Sequence, residues 1–351
     1  MLHRILGRFW RIALGLVLGL LTLAHAQAQE SGGILRVVAT VPELGSLARE
    51  VGGDQVVVTV LVKGTEDPHF IEARPAFIKA LSQADVYIQV GLDQEIGWAP
   101  ALLQQARNGR VLPGTPGYID ASTVITPLQV STVPVDRSQG DVHAFGNPHF
   151  LVDPIQGLKV ARLIRDRLAV LRLQQAMAFE AGYIAFRQRL SRALVGEALA
   201  EKYDVEKLAL LADHGRLDAF LQSQGEADRL GGWLGRMRPY AGTKAVADHN
   251  VWPYFAQRFQ FTLIGFMEPK PGLPPTTHHL QELIHLMQAQ RVSLILASAY
   301  YDARHARFLA QHTGAKIVEM ANQVGARTGT DDYLGMIEYN VQQCLTALGG
   351  A

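Results

Sequence analysis

Short apolar runs and helical stretches alternate twice along this chain, with a long proline-free helical segment between the two series. That order allows few architectures. The first series places strand-like runs at 34–40, 56–62 and 86–90, with helical stretches near 44–51, 75–82 and 98–107. The second places strands at 244–247, 261–266, 293–297 and 316–319, with helices at 251–259, 276–290, 303–313 and 332–348. Strands that alternate with helices predict parallel sheets covered by helices. Residues 155–199 carry no Pro and repeat Leu158, Ala161, Ile164, Leu168 and Leu171 at helical spacing. This predicts one long helix, with Gly182 as the candidate break. The expected fold is α/β: two lobes, each a parallel sheet flanked by helices, joined by a single long linker helix. The first lobe covers 29–153, the linker 154–199 and the second lobe 200–351. Residues 201–240 follow neither rhythm and read as an insertion in the second lobe.

The N-terminus adds a processing signal. Arg4, Arg8 and Arg11 precede an apolar run over 12–23, and Ala24-His25-Ala26-Gln27-Ala28 then offers two overlapping A-x-A sites. A basic start, a short apolar stretch and small residues predict a secretory signal peptide over 1–28. An uncleaved anchor is the alternative, although the run is short for a membrane span. With no Cys after the leader to take a lipid, a soluble periplasmic protein is expected. The formal charge of +1 also depends on the leader, because its loss leaves 30 basic residues against 32 acidic ones. No basic face points to nucleic acid. The one cysteine, Cys344, cannot form an internal disulfide and falls in an apolar helical pattern.

Candidate chemistry is carried by histidine. Twelve are present, two of them in the leader. Asp67-Pro68-His69-Phe70 follows the second strand, Asn147-Pro148-His149-Phe150 precedes the linker helix, and Asp248-His249-Asn250 follows the strand at 244–247. In open α/β sheets, ligands bind outside the carboxyl ends of strands. His69 and His249 sit at such ends in different lobes. Each taken singly is equally a turn-stabilising or solvated loop residue, and no compact zinc motif such as H-E-x-x-H is present. Local spacing alone therefore does not establish a metal site. His278, His279, His285, His305 and His312 fall on the later helices or their caps and read as surface residues.

Taken together and in order, these segments resemble the zinc/manganese solute-binding proteins of bacterial ABC importers. The resemblance runs from about residue 34 to the end. It is carried by Val38-Ala39-Thr40-Val41-Pro42, Gly64 to Glu72, Asn147 to Pro154, Asp248-His249 with Tyr254-Phe255-Ala256, Glu268-Pro269-Lys270-Pro271-Gly272, and Asp331-Asp332-Tyr333-Leu334 with Tyr339-Asn340. It implies metal ligands at His69, His149, His249 and Asp331, with Asp332 as the alternative fourth. Asp67, Glu72 and Asp153 belong to the same motifs and read as loop-shaping groups or as carboxylates that hold an imidazole in place.

What the resemblance implies for function follows from that ligand set. Three imidazoles and a carboxylate suit Zn²⁺, with bonds of roughly 2.0–2.2 Å. Manganese-preferring members carry a carboxylate at the third position, where this chain has His249, and imidazole shifts preference towards zinc. The expected protein is no enzyme. It captures Zn²⁺ as cargo between the lobes and delivers it to a membrane permease, as a monomer, with a periplasmic zinc chaperone as a further candidate partner. Mn²⁺ is the alternative cargo. A zinc hydrolase and an adhesin with structural zinc are the rival classes. Imidazole must be neutral to bind, so affinity is expected to fall below about pH 6.5. Two departures from the family stand out. The region 135–146 lacks a long His-rich loop and holds only Asp136, Asp141 and His143, the last either a contact for metal near the mouth or a plain exposed His. The interval between His149 and His249, 100 residues, is longer than the family needs.

Overall fold

The computed structural model describes residues 33–132, 143–270 and 272–350. The expected leader lies outside them. The first lobe contains β1 (Leu35–Ala39), α1 (Pro42–Gly52), β2 (Val56–Val60), α2 (Pro75–Gln83), β3 (Val86–Gln89), α3 (Ala99–Ala106) and β4 (Tyr118–Asp120). Then come α4 (Pro154–Leu171), α5 (Ala176–Val195), α6 (Glu197–Lys202), α7 (Val205–Asp213), α8 (Leu217–Ser223) and α9 (Gly232–Met237). The second lobe contains β5 (Lys244–Ala247), α10 (Pro253–Arg258), β6 (Thr262–Phe266), α11 (Thr277–Gln290), β7 (Leu294–Ala297), α12 (Ala303–Thr313), β8 (Lys316–Glu319) and α13 (Tyr333–Leu348).

Each lobe holds a four-stranded parallel sheet, ordered β2-β1-β3-β4 in the first and β6-β5-β7-β8 in the second. The two orders are equivalent. In each, the chain turns one way from its first strand and then crosses to the other side, which creates a switch point beside that strand. The interior strands read as continuous apolar runs because both their faces are covered. One face of each sheet packs on its own helices: Phe77, Leu81 and Leu102 in the first lobe, Leu283, Met287 and Leu309 in the second. The other faces share one core that runs unbroken from Leu35 and Leu47 through Phe186 to Leu294 and Met336. The lobes are therefore welded by a common core.

The helical segment between the lobes is interrupted, but not at Gly182. Helix α4 ends at Leu171, a 3₁₀ turn covers Leu173–Gln175, and α5 folds back against α4. Arg165 on α4 pairs with Glu180 on α5 and lies 4.9 Å from the Tyr183 ring centre. Gly182 has a different task. A Cβ there would stand 2.4 Å from the carbonyl oxygen of Val51, so only glycine lets α5 close on the end of α1.

Residues 201–240 are helical and pack on the linker and on α13. Trp233 Nε1 donates to the Glu338 carboxylate at 2.6 Å, and Arg236 pairs with the same carboxylate. Asp213 accepts from Lys159 at 2.6 Å and pairs with Arg258. Nothing in these contacts covers the histidine loops.

The strongest tie between the lobes is buried. Asp153 caps α4 by accepting from the Ile155 amide at 2.9 Å. Its two oxygens also take Arg258 Nε and Nη2, both at 2.8 Å. Both side chains are almost wholly enclosed, 1% and 6% exposed. Tyr254 adds a second tie, accepting from the Leu128 amide and donating to the Asn147 carbonyl, both at 2.9 Å. Tyr333 adds a third, donating to the carbonyls of Leu151 and Asp153. Truncating Arg258 to Ala leaves Asp153 buried with its charge unpaired, so the variant should lose about 3–5 kcal/mol in denaturant unfolding. A loss below about 1 kcal/mol would contradict the role given to this pair.

Candidate metal centre

His69 and His149 are held by the same local device. Asp67 Oδ1 accepts both the His69 amide at 3.0 Å and its Nδ1 at 2.8 Å. Asn147 Oδ1 accepts the His149 amide at 2.9 Å and its Nδ1 at 3.0 Å. A short Asp or Asn side chain that bonds the backbone two residues on makes a tight turn, and the intervening proline restricts the residue before it to extended backbone. The recurring Asp/Asn-Pro-His pattern is thus a ring-orienting turn. The His69 turn is pinned further by Trp98 Nε1, which donates to the Pro68 carbonyl at 2.8 Å.

His249 is oriented differently. Its amide donates to Asp248 Oδ1 at 2.8 Å, while its Nδ1 meets Glu268 Oε2 at 2.7 Å. Asp248 also accepts from the Ser298 amide and hydroxyl, which joins the ends of β5 and β7 at the switch point. Tyr301 stacks on the His249 ring, 5.6 Å between centres. In all three histidines, Nδ1 faces an oxygen acceptor. That favours the tautomer with the proton on Nδ1 and leaves Nε2 as the basic nitrogen.

The three rings converge. Their centres lie 5.1 Å apart for His69 and His149, 5.7 Å for His149 and His249, and 6.1 Å for His69 and His249. A fourth ring joins them: His143 stands 5.3 Å from His69 and 6.3 Å from His149. Imidazoles bound tetrahedrally to one Zn²⁺ at about 2.0–2.1 Å place their ring centres roughly 5.2 Å apart. The observed spacings sit at or slightly above that value. Among the described residues no group of three or more His, Cys, Asp or Glu side chains is placed to hold a metal ion as it stands, so a metal shared by these rings would require them to shift inward.

Burial favours the neutral ring at His149 and at His143. Burial holds His149 far below the usual imidazole range, and the neighbouring rings of His69, His249 and His143 add to the effect. Its Nε2 is buried with no hydrogen-bond partner among the described residues. His143 is pushed down to about 3, by burial first and then by His69 and His249. These two rings stay unprotonated well below pH 6.5, so the acid limit expected for an ordinary imidazole does not apply to them. Burial is the largest single influence on the Asp67 carboxylate and disfavours it, but the hydrogen bonds from the ring and amide of His69, together with the charges of His69 and His249, hold it below its ordinary value. Asp248 is pushed up to about 6 by burial, against the opposing amides of Ser298 and His249.

Asp331, expected as the fourth ligand, is exposed. Asp332 caps α13 by accepting from the Gly335 amide at 2.7 Å. Tyr333, next in line, is drawn inward by Ser46 Oγ and the carbonyls of the His149 loop. The part of this loop that does face the cluster is Asn322-Gln323: both are buried and line the same small cavity as His149. Glu72 is exposed and Asp153 serves the ion pair with Arg258, so of the three motif carboxylates only Asp67 holds a ring. Asn147 and Glu268 hold the other two. His278, His285 and His312 are exposed, and His279 bonds the Phe266 carbonyl, away from the cluster.

Comparison with known proteins agrees with this architecture. The family model described as zinc-uptake complex component A, periplasmic, matches residues 37–227 and 222–347. The manganese-binding lipoprotein MntA of Halalkalibacterium halodurans is 22% identical over 322 residues, covering 91% of this chain and 90% of that protein. The zinc-binding protein TroA of Treponema pallidum is 20% identical over 347 residues, covering 96% of each. A crystal structure of ZnuA superposes with a TM-score of 0.64 at 21% identity, covering 89% of this chain and 98% of that one.

If Glu268 fixes the His249 tautomer, then Glu268→Ala should weaken metal binding by about 10–100-fold, the usual effect of losing such a support. Competition against a chelator measures it; unchanged affinity would remove Glu268 from the centre.

Proposed function

The chain belongs to the periplasmic zinc-uptake component A family, and from that membership we propose that its cargo is Zn²⁺, captured between the lobes and passed to the permease of an ABC importer. Both zinc-binding and manganese-binding proteins are among its relatives, so the name of the family does not choose the metal. The donor set supports the choice. His69, His149 and His249 come from both lobes, stand within 6.1 Å of one another by ring centres, and each has Nδ1 committed to an oxygen. Nitrogen donors favour zinc, whereas oxygen-rich sites favour manganese. Asp331, the one oxygen donor expected in the set, is exposed in this structure.

A hydrolytic zinc site would also start from three ligands, but it needs a base to take a proton from bound water. Asp67 is committed to the amide and ring of His69, and Glu72 is exposed. Neither supports that reading. Uptake and release by loop adjustment fits the shared core, since parting the lobes would expose side chains such as Phe150 at roughly 1.5–3 kcal/mol each. Among the described residues no helix is long and apolar enough to cross a membrane.

Calorimetry with Zn²⁺ and Mn²⁺ tests the reading. The protein should bind one Zn²⁺ more tightly than Mn²⁺, and His149→Ala should weaken zinc binding by at least about 100-fold, more than the loss of a supporting residue. Tighter binding of Mn²⁺, or an unaffected variant, would sink it.

A further inference from the structure

We propose that His143 is the fourth protein ligand, making the centre a four-imidazole site in which no carboxylate touches the metal. The inference rests on the metal-binding reading above and deepens it.

Position carries the argument. His143 lies six residues before His149, and its ring centre stands 5.3 Å from His69 and 6.3 Å from His149. Those spacings are of the same order as the 5.1–6.1 Å among the other three, and close to the roughly 5.2 Å of a tetrahedral set. His143 thus neighbours two of the three imidazoles, whereas Asp331 is exposed.

The backbone that brings His143 there is built for it. Gly146 adopts a φ of +113°, and a Cβ would stand 2.5 Å from the Pro127 side chain and 2.9 Å from the Leu128 carbonyl oxygen. Only glycine permits this turn at that closeness. The Gly146 amide donates to the His143 carbonyl at 3.3 Å, and the next amide, Asn147, donates to the Leu128 carbonyl at 2.8 Å. Asn147 Nδ2 adds a bond to the Asn250 carbonyl at 2.8 Å, across to the His249 loop. The turn that sets His149 therefore also sets the short segment carrying His143.

The chemistry gives this residue a consequence for selection. Four neutral imidazoles leave the full charge of the cation to be balanced from outside the ligand shell by Asp67 and Glu268, which sit behind the rings of His69 and His249. A set without oxygen donors suits Zn²⁺ and disfavours Mn²⁺. His143 is then a specificity residue: removing it opens a position for water.

The test uses the full chain loaded with Zn²⁺ or Co²⁺. X-ray absorption on the wild type should count four imidazoles, and Co²⁺ should show the intense visible bands of a tetrahedral site. In His143→Ala the count should drop to three with an oxygen added, the cobalt bands should weaken, zinc binding should fall at least about tenfold, and the preference for Zn²⁺ over Mn²⁺ should narrow. His143→Asn provides a second variant with a polar side chain in the same segment, and should lose the same imidazole. If both variants keep the wild-type imidazole count and zinc affinity while His149→Ala loses them, His143 is no ligand and the metal-site reading stands without it. If the wild type takes up no zinc or cobalt, the metal-site reading itself fails and this inference falls with it.

Discussion

The buried pair of Asp153 and Arg258 fixes where the two lobes meet, and the histidine cluster inherits its geometry from that join. Asp153 lies four residues after His149 and caps the helix that leaves the first lobe; Arg258 ends the helix that follows His249. One ion pair thus ties together the backbones behind two rings that face each other across the lobes. Burying two charges is costly unless every polar atom is satisfied. Here it is nearly so, because the Asp153 oxygens take the Ile155 amide, both Arg258 nitrogens and Gln156 Nε2. Arg258 also reaches Asp213, which binds Lys159. The helices at 201–240 therefore brace this join.

Within that frame, the rings are aimed by small local turns. Asp67 and Asn147 each use one oxygen to hold both the amide and the ring of the histidine two residues on. Glu268 does the ring half of that work for His249. Orientation is paid before any cation arrives, so binding needs only small inward shifts of rings that already stand close. The shared apolar core keeps the lobes from swinging widely and leaves such shifts to the loops.

Much of this was legible in the sequence, for identifiable reasons. The interior strands announce themselves as apolar runs because both faces are buried, and Pro42, Pro75 and Pro253 stand at helix starts where proline is tolerated. Strand β4 was not legible, since three residues beside Gly117 carry no pattern. The break at Arg172 was hidden because Leu168 and Phe179, eleven positions apart, keep the apolar face in phase across it. Gly182 looked like a break because a glycine's reason, here the Val51 carbonyl, lies in another helix. His69 and His149 were visible through their repeated turn motif. Glu268 was not visible as a partner of His249, because pairing of β5 with β6 brings together residues nineteen positions apart. Register to Tyr339-Asn340 points to Asp331, which is exposed, whereas nothing in the sequence marks Asn322-Gln323 as the pair that lines the His149 cavity.

The most direct test is anomalous scattering at the zinc absorption edge from crystals of the zinc-loaded protein. The account predicts one strong peak between the lobes, bonded to Nε2 of His69, His149 and His249 at about 2.0–2.1 Å. A peak bonded elsewhere, or through Nδ1 with the supports of Asp67, Asn147 and Glu268 displaced, would contradict it.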